Sequence, residues 1–408
     1  MRNLSFILAA TAILTAVVSC DKIGGGRNED NPRKPLELDT KSAEFLQKGN
    51  TFALEFLSRV DAAEKEKDYI VSPLSMQFLL GMVLNGAQGE TADEICRVLG
   101  YGAGEVEAVN NYNLSLLQQL PKMDKKTKLS IANAIFVNQY HTLEESYVED
   151  VEKYYLAEAT NLNFGDRQNA LNTINGWCDR QTNGMIPKVL DSVSDDVLAY
   201  LMNAMYFKSE WREKFEKSKT ATERFTDEIG NKFDVKMMKN YEDFGYYETD
   251  IYQVVEMGYG NGAYSMVVFL PKAGYKVADV VAALKTADTV VPELDHLNVD
   301  LWLPRFETKY HAVVKDLLTD MGMPQSFGAA ADFQAMSPRA LYLDNVFQDA
   351  IIKVDEEGTE AAVVSTAVMY GQGFLPHSAV FHADHPFLYL ITESSTGAIL
   401  FAGRYSGK

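Results

Sequence analysis

Asp355-Glu356-Glu357-Gly358-Thr359-Glu360-Ala361-Ala362-Val363-Val364-Ser365-Thr366-Ala367-Val368-Met369-Tyr370-Gly371-Gln372-Gly373-Phe374-Leu375-Pro376 follows an apolar, strand-like run, Ala350-Ile351-Ile352-Lys353-Val354. It begins with charged residues and a glycine, and it ends with two more glycines and a proline. That punctuation fits an exposed loop. The middle has a different character. With a period of two, Thr359, Ala361, Val363, Ser365 and Ala367 share one face, all small and uncharged. Glu360, Ala362, Val364 and Thr366 share the other, and the only charge lies there. A strand with one small-residue face suits a tight slot. Periodicity alone leaves two readings open: an ordinary hairpin strand, and a segment that serves as loop and strand in turn.

Before this stretch, the first half of the chain reads as mostly helical. Phe45, Phe52, Phe56 and Leu57 recur at helical spacing. Ser72-Pro73 opens a helix with Ser as N-cap and Pro at the first helical position. Gly86-Ala87-Gln88-Gly89 stops that helix, and Thr91-Ala92-Asp93-Glu94 is expected to open the next as a capping box. Strands are expected at Leu129–Val137 and Val197–Phe207, and helices around Glu144–Tyr155, Arg167–Thr182, Val277–Leu284 and Val313–Met321. Beyond Thr222 strands dominate, through Phe387–Ile391 and Ile399–Gly403. Helices first and strands later, without repeated βαβ units, indicate an α+β fold.

The N-terminal residues read as a processing signal. Arg2 precedes the apolar stretch from Phe6 to Val18, which is short for a membrane span and shaped like a secretory signal. Val17-Val18-Ser19-Cys20 resembles the lipobox of bacterial lipoproteins, in which the cysteine becomes lipid-modified; a plain secretory signal is the alternative. Acyl chains there would add about 0.8 kcal/mol of anchoring per buried methylene. The polar, Gly-rich run from Asp21 to Pro32 reads as a tether. The expected organisation is a signal over 1–19, an anchor and tether over 20–41, and one folded domain over 42–408.

A net charge of −19 excludes a basic nucleic-acid-binding face. Lys122, Lys125, Lys126 and Lys128 read as a solvated loop rather than a polyanion site. Cys96 and Cys178 are not close-spaced and read as buried free thiols.

Several blocks, in order, resemble the serpin family of protease inhibitors. Asp355-Glu356-Glu357-Gly358-Thr359-Glu360-Ala361-Ala362, continuing to Val363, resembles the family's reactive-loop hinge. Ser72-Pro73-Leu74-Ser75, Asn85-Gly86-Ala87-Gln88-Gly89-Glu90-Thr91 and Asn133-Ala134-Ile135-Phe136 match earlier blocks. So do Ile174-Asn175-Gly176-Trp177, Thr182-Asn183-Gly184-Met185-Ile186, Asn203-Ala204-Met205-Tyr206-Phe207-Lys208 with Trp211, and His385-Pro386-Phe387 with Ile399–Arg404. The resemblance implies one domain of three β-sheets and eight to nine helices, with an exposed reactive-centre loop. It implies a suicide inhibitor of endopeptidases that is not an enzyme, needs no cofactor or metal, and acts as a monomer. Ser72, Ser75 and Asn203 match the polar cluster beneath the opening sheet, and Trp211 the aromatic where the loop first inserts. Where the family usually carries His ahead of the hinge, this chain has Gln348, which hydrogen-bonds but does not titrate.

The scissile bond is read in two registers. Sixteen positions past Glu356 lies Gln372, followed by Gly373; the spacing back from Pro386 gives Leu375. No register gives Arg or Lys. Met369, Tyr370, Phe374 and Leu375 suit chymotrypsin- or subtilisin-like pockets, and Val363 to Val368 elastase-like ones; a papain-like cysteine protease is a further target class. A non-inhibitory binding lipoprotein of the same fold is the rival reading. The lipobox implies export and a lipid-anchored place on the bacterial cell envelope, facing periplasm or cell surface. As metal ligands, His377, His382 and His385 with Asp384 match no standard spacing. Gly258-Tyr259-Gly260-Asn261-Gly262 reads as a hairpin turn rather than a phosphate loop.

Overall fold

The computed structural model describes residues 30–359 and 378–407. The expected lipidation site Cys20, the hinge residues Glu360, Ala361, Ala362 and Val363, and the reactive-bond candidates Met369, Tyr370, Gln372, Gly373, Phe374 and Leu375 lie outside them.

In chain order the first half holds α1 (Thr40–Glu64), β1 (Tyr69–Val71), α2 (Pro73–Gly86), α3 (Gly89–Leu99) and α4 (Val106–Gln119). It continues with β2 (Lys128–Asn138), α5 (Glu145–Tyr155), β3 (Glu158–Leu162), α6 (Arg167–Gln181) and β4 (Ala199–Glu210). The second half is strand-rich: β5 (Ala221–Thr226), β6 (Lys232–Glu248), β7 (Tyr252–Tyr259), β8 (Tyr264–Pro271), α7 (Val277–Lys285), β9 (Asp295–Pro304) and β10 (Phe306–Val313). Then come α8 (Lys315–Met321), β11 (Phe347–Val354), β12 (Gly358–Thr359), β13 (Ser378–His382), β14 (Phe387–Glu393) and β15 (Ala398–Tyr405).

The expected α+β arrangement is present. Six strands form one sheet in the order β10-β11-β12-β4-β2-β3. The other strands form a nine-stranded sheet, where three sheets in all were expected. The reason is β6. Its 17 residues pair with β9 from Met237 to Tyr246 and with β7 from Gly245 to Glu248, so one strand joins two smaller sheets.

The main core lies between the six-stranded sheet and the helices and strands behind it. α2 is buried on every side except at Asn85, as an apolar helix without a polar face must be. Ser72 caps it, accepting from the Ser75 amide at 3.2 Å while its hydroxyl donates to the Leu400 carbonyl at 2.8 Å. A second, smaller core fills the opposite face of the same sheet, where α6 sets Ile174, Trp177 and Cys178 against Phe136, Met202 and Ala204. Each such large side chain contributes about 1.5–3 kcal/mol by leaving water.

Two local expectations are corrected. α3 starts at Gly89 with Gln88 as N-cap, not at a Thr91 capping box. Thr91 is fully buried inside the helix, and its hydroxyl accepts from the Asp332 amide at 2.9 Å; a tertiary contact has taken the place of the local cap. The described end of the expected tether is docked on the body. Asn31 donates to Asp124 Oδ1 at 2.6 Å, Leu36 is buried, and Glu37 exchanges hydrogen bonds with Gln119. Cys96 and Cys178 are both free and buried, and burial pushes the thiols up to about 11 and about 12.

Candidate functional site: the hinge and its slot

After β11 the chain turns back on itself. The Asp355 amide donates to the Gly358 carbonyl at 3.0 Å and the Gly358 amide returns a bond to Asp355 at 3.3 Å. The Asp355 carboxylate accepts from the Glu357 amide at 2.9 Å, which tightens the turn. Gly358 is required here by proximity: a Cβ would lie 2.1 Å from the Ser209 carbonyl oxygen. The turn delivers Gly358 and Thr359 between β11 and β4. Thr359 faces Val354 on one side and Ser209 on the other, and Gly358 faces Glu210. Among the described residues β11 and β4 join the same sheet only through these two residues.

Thr359 is 2% exposed. Its hydroxyl shares a 2.6 Å hydrogen bond with Tyr259, whose ring stacks on Trp211 at 4.4 Å and 13°. Trp211 holds the turn from both ends. Its indole N–H donates to the Asp355 carbonyl at 2.9 Å, and its backbone amide to the Glu357 carbonyl at 2.9 Å. Trp211, which the resemblance sets where the loop first inserts, lies against the hinge turn.

The two hinge glutamates are buried, which is costly for carboxylates without partners. Glu356 accepts from Arg305 and, at 2.6 Å, from the Thr220 hydroxyl. Burial pushes its carboxyl up, but these donors outweigh it and hold it below the ordinary 4.5. Glu357 bridges Lys214 and Lys217, each at 3.0 Å. There too burial raises the carboxyl and the lysines bring it below its ordinary value. Adjacent residues facing opposite ways thus reach separate cations, an anchoring arrangement rather than a pair for acid–base chemistry.

Arg305, Lys214, Lys217 and Thr220 were not legible as site residues in the sequence, and Tyr259 was legible only as part of a turn. Each lies on another element, and nothing in its local pattern marks it.

Below the hinge, the Ser75 hydroxyl donates to Asn203 Oδ1. The Asn203 amide donates to Asn133 Oδ1 at 2.7 Å, and Asn133 to the Tyr155 carbonyl at 2.6 Å. Ser72, Ser75 and Asn203 are therefore brought together beneath β4. Gln348 is not in this chain of bonds. It is 3% exposed on β11, and its Oε1 has no hydrogen-bond partner among the described residues. Of the C-terminal histidines, His382 stacks on Trp302 at 4.1 Å and bonds Asp300 at 3.0 Å, while His385 bonds Asp384 and the Pro271 carbonyl, each at 2.8 Å. His377 lies outside the described residues. Tyr259 to Tyr264 is a hairpin turn between β7 and β8, as expected.

A family model described as Serpin (serine protease inhibitor) matches residues 47–407. Serpin B3 of Homo sapiens is 30% identical, with 88% of this chain and 99% of that protein covered. Serpin B6 of Macaca fascicularis is 32% identical over 89% and 99%. Among solved structures, the thermophilic serpin tengpin in its native state is similar with a TM-score of 0.82 at 28% identity, covering 93% of this chain and 97% of that one. Thyroxine-binding globulin in complex with thyroxine shares the fold, with a TM-score of 0.76 at 24% identity. The chain belongs to the serpin family. That membership supports protease inhibition in general terms.

Proposed function

We propose that this protein is a suicide inhibitor of endopeptidases that works by loop insertion. The observation that carries the reading is Thr359, already seated between β11 and β4 with a small, buried side chain. In the sequence after it, Ala361, Val363, Ser365 and Ala367 recur at a period of two, a pattern that would give a strand one small, uncharged face.

The chemistry begins with the protease. Its serine hydroxyl or cysteine thiol attacks a carbonyl in the loop, forming an ester or thioester as the peptide C–N bond breaks and the amine leaves with a proton. The new amine remains on the segment leading to β13. The acylated segment is then free to follow Thr359 into the sheet. Each inserted residue satisfies its backbone groups on β11 and β4, and the small face is buried. Insertion carries the ester away from the point of attack and deforms the protease before water completes hydrolysis.

The hydrophobic and small residues from Val363 to Leu375 favour chymotrypsin-, elastase- or subtilisin-like serine proteases, with papain-like cysteine proteases as a second class. The lipobox-like residues before Cys20 favour an exported, lipid-anchored protein on a bacterial cell envelope, acting there as a monomer. Incubation with a panel of such proteases tests the inhibitory reading. An SDS-stable adduct is expected, with the mass of both proteins less the C-terminal loop peptide. Clean cleavage by every protease, without an adduct, would leave a binding protein of the same fold.

A further inference from the structure

Asn31, at the start of the docked strap, joins the loop between α4 and β2. Its buried side chain donates to Asp124 Oδ1 at 2.6 Å and accepts from the Lys125 amide at 3.1 Å. The Lys125 ammonium donates to the Asp30 carbonyl at 2.6 Å. The turn between β7 and β8 closes on the same loop, where the Asn261 side chain donates to the Met123 carbonyl at 2.9 Å. A Cβ on Gly262, in that turn, would lie 3.7 Å from Arg33 Cδ and 3.1 Å from Arg212 Nη1, so both arginines meet there.

The strap therefore completes a patch that the basic run after α4 does not make alone. Arg33, Lys34, Lys122, Lys125, Lys126 and Arg212 are all exposed, and none makes an ion pair among the described residues. Lys128, the last of the run, turns aside and donates to Asn183 Oδ1 at 2.9 Å. Exposed carboxylates flank the patch at Asp30, Glu37 and Glu213, so positive charge is in excess there, on a chain of net charge −19. Like charges held together destabilise a compact state unless something outside it balances them.

The length of chain ahead of the strap indicates what that is. Asp30 lies ten residues past Cys20, a distance of at most about 35 Å when fully extended. A tether running free to residue 41 would reach about twice as far. An anchor on Cys20 thus keeps the basic patch, ahead of any other surface, close to the bilayer.

We propose that this patch docks on the anionic headgroups of the membrane that holds the anchor, so that the body rests strap-side down rather than swinging on its tether. The proposal rests on the lipid-anchor reading of Cys20 and adds an orientation to it. Each basic side chain near an anionic bilayer strengthens binding by about fivefold, and added salt screens the effect. The acidic excess of the rest of the chain turns the other faces away from the same headgroups.

Amine labelling of the lipidated full-length protein on vesicles tests it, with a reagent that does not cross the bilayer and mass spectrometry to read each lysine. On vesicles of phosphatidylglycerol and phosphatidylcholine, Lys34, Lys122, Lys125 and Lys126 should label about fivefold more slowly than on phosphatidylcholine alone. About 0.5 M salt should abolish the difference. Lys67 and Lys309, exposed elsewhere, should label equally on both. Lys122→Glu with Lys126→Glu should lose the contrast while melting as the wild type does. Equal labelling of a protein bound to both vesicles would overturn the docking surface and leave the anchor standing. A protein that does not join phosphatidylcholine vesicles would remove the anchor, and the proposal with it. Protection by dextran sulfate in solution, without protection on anionic vesicles, would make the patch a polyanion site and overturn membrane docking.

Discussion

At the residue scale, the two glutamates of the hinge carry the most information. Their type was legible from the sequence, because the run Glu356-Glu357-Gly358-Thr359 is distinctive. Their partners were not. Arg305 lies 51 residues away and Thr220 136 residues away, and only the assembled sheet brings them together. The consequence for pH has a definite sign. Glu356 and Glu357 titrate below their ordinary 4.5 when folded. Their contribution is therefore fully present above about pH 4.5 and is lost as pH falls through the lower folded values. In urea titrations the wild type should lose stability as pH falls from about 4.5 towards 3. Glu356→Gln should be weaker at pH 7, by about 1–3 kcal/mol, and should show a shallower acid decline. A variant whose acid decline matched the wild type would remove Glu356 from this role.

At the scale of elements, β12 is two residues long among the described residues, yet it sets the relation of β11 to β4. Helices with strong periodicity or an N-cap signal, such as α2, α5 and α6, lie where the sequence placed them. The start of α3 does not, because Thr91 found a tertiary partner stronger than a local cap. The fusion of two sheets through β6 was likewise illegible: a 17-residue strand carries no mark of where its pairing changes. Gly358→Ala tests β12 directly. The added carbon would meet the Ser209 carbonyl, backbone that cannot swing aside. Overpacking of this kind costs about 1–3 kcal/mol. The intact protein is expected to melt a few degrees lower, with Trp211 fluorescence altered as its bond to Asp355 is strained. An unchanged melt and spectrum would mean that Gly358 does not need its close approach to β4.

At the scale of the whole molecule, the sheet holding β11 and β4 is covered on both faces, so a strand entering between them would be buried on both sides. The main core lies behind it and α6 lies across its front. Such a position accepts only a chain that is small on its core face, and Thr359, Ala361 and Val363 meet that condition. A charge on the same face would have to be buried at a cost of several kcal/mol. The central claim, that inhibition depends on this insertion, is tested by titrating a susceptible protease with the wild type and with Thr359→Arg. The wild type should abolish activity at about one mole per mole, with the protease trapped as an ester. Thr359→Arg should be cut at the same bond and leave the protease active. Equal trapping by the variant would contradict insertion as the basis of inhibition.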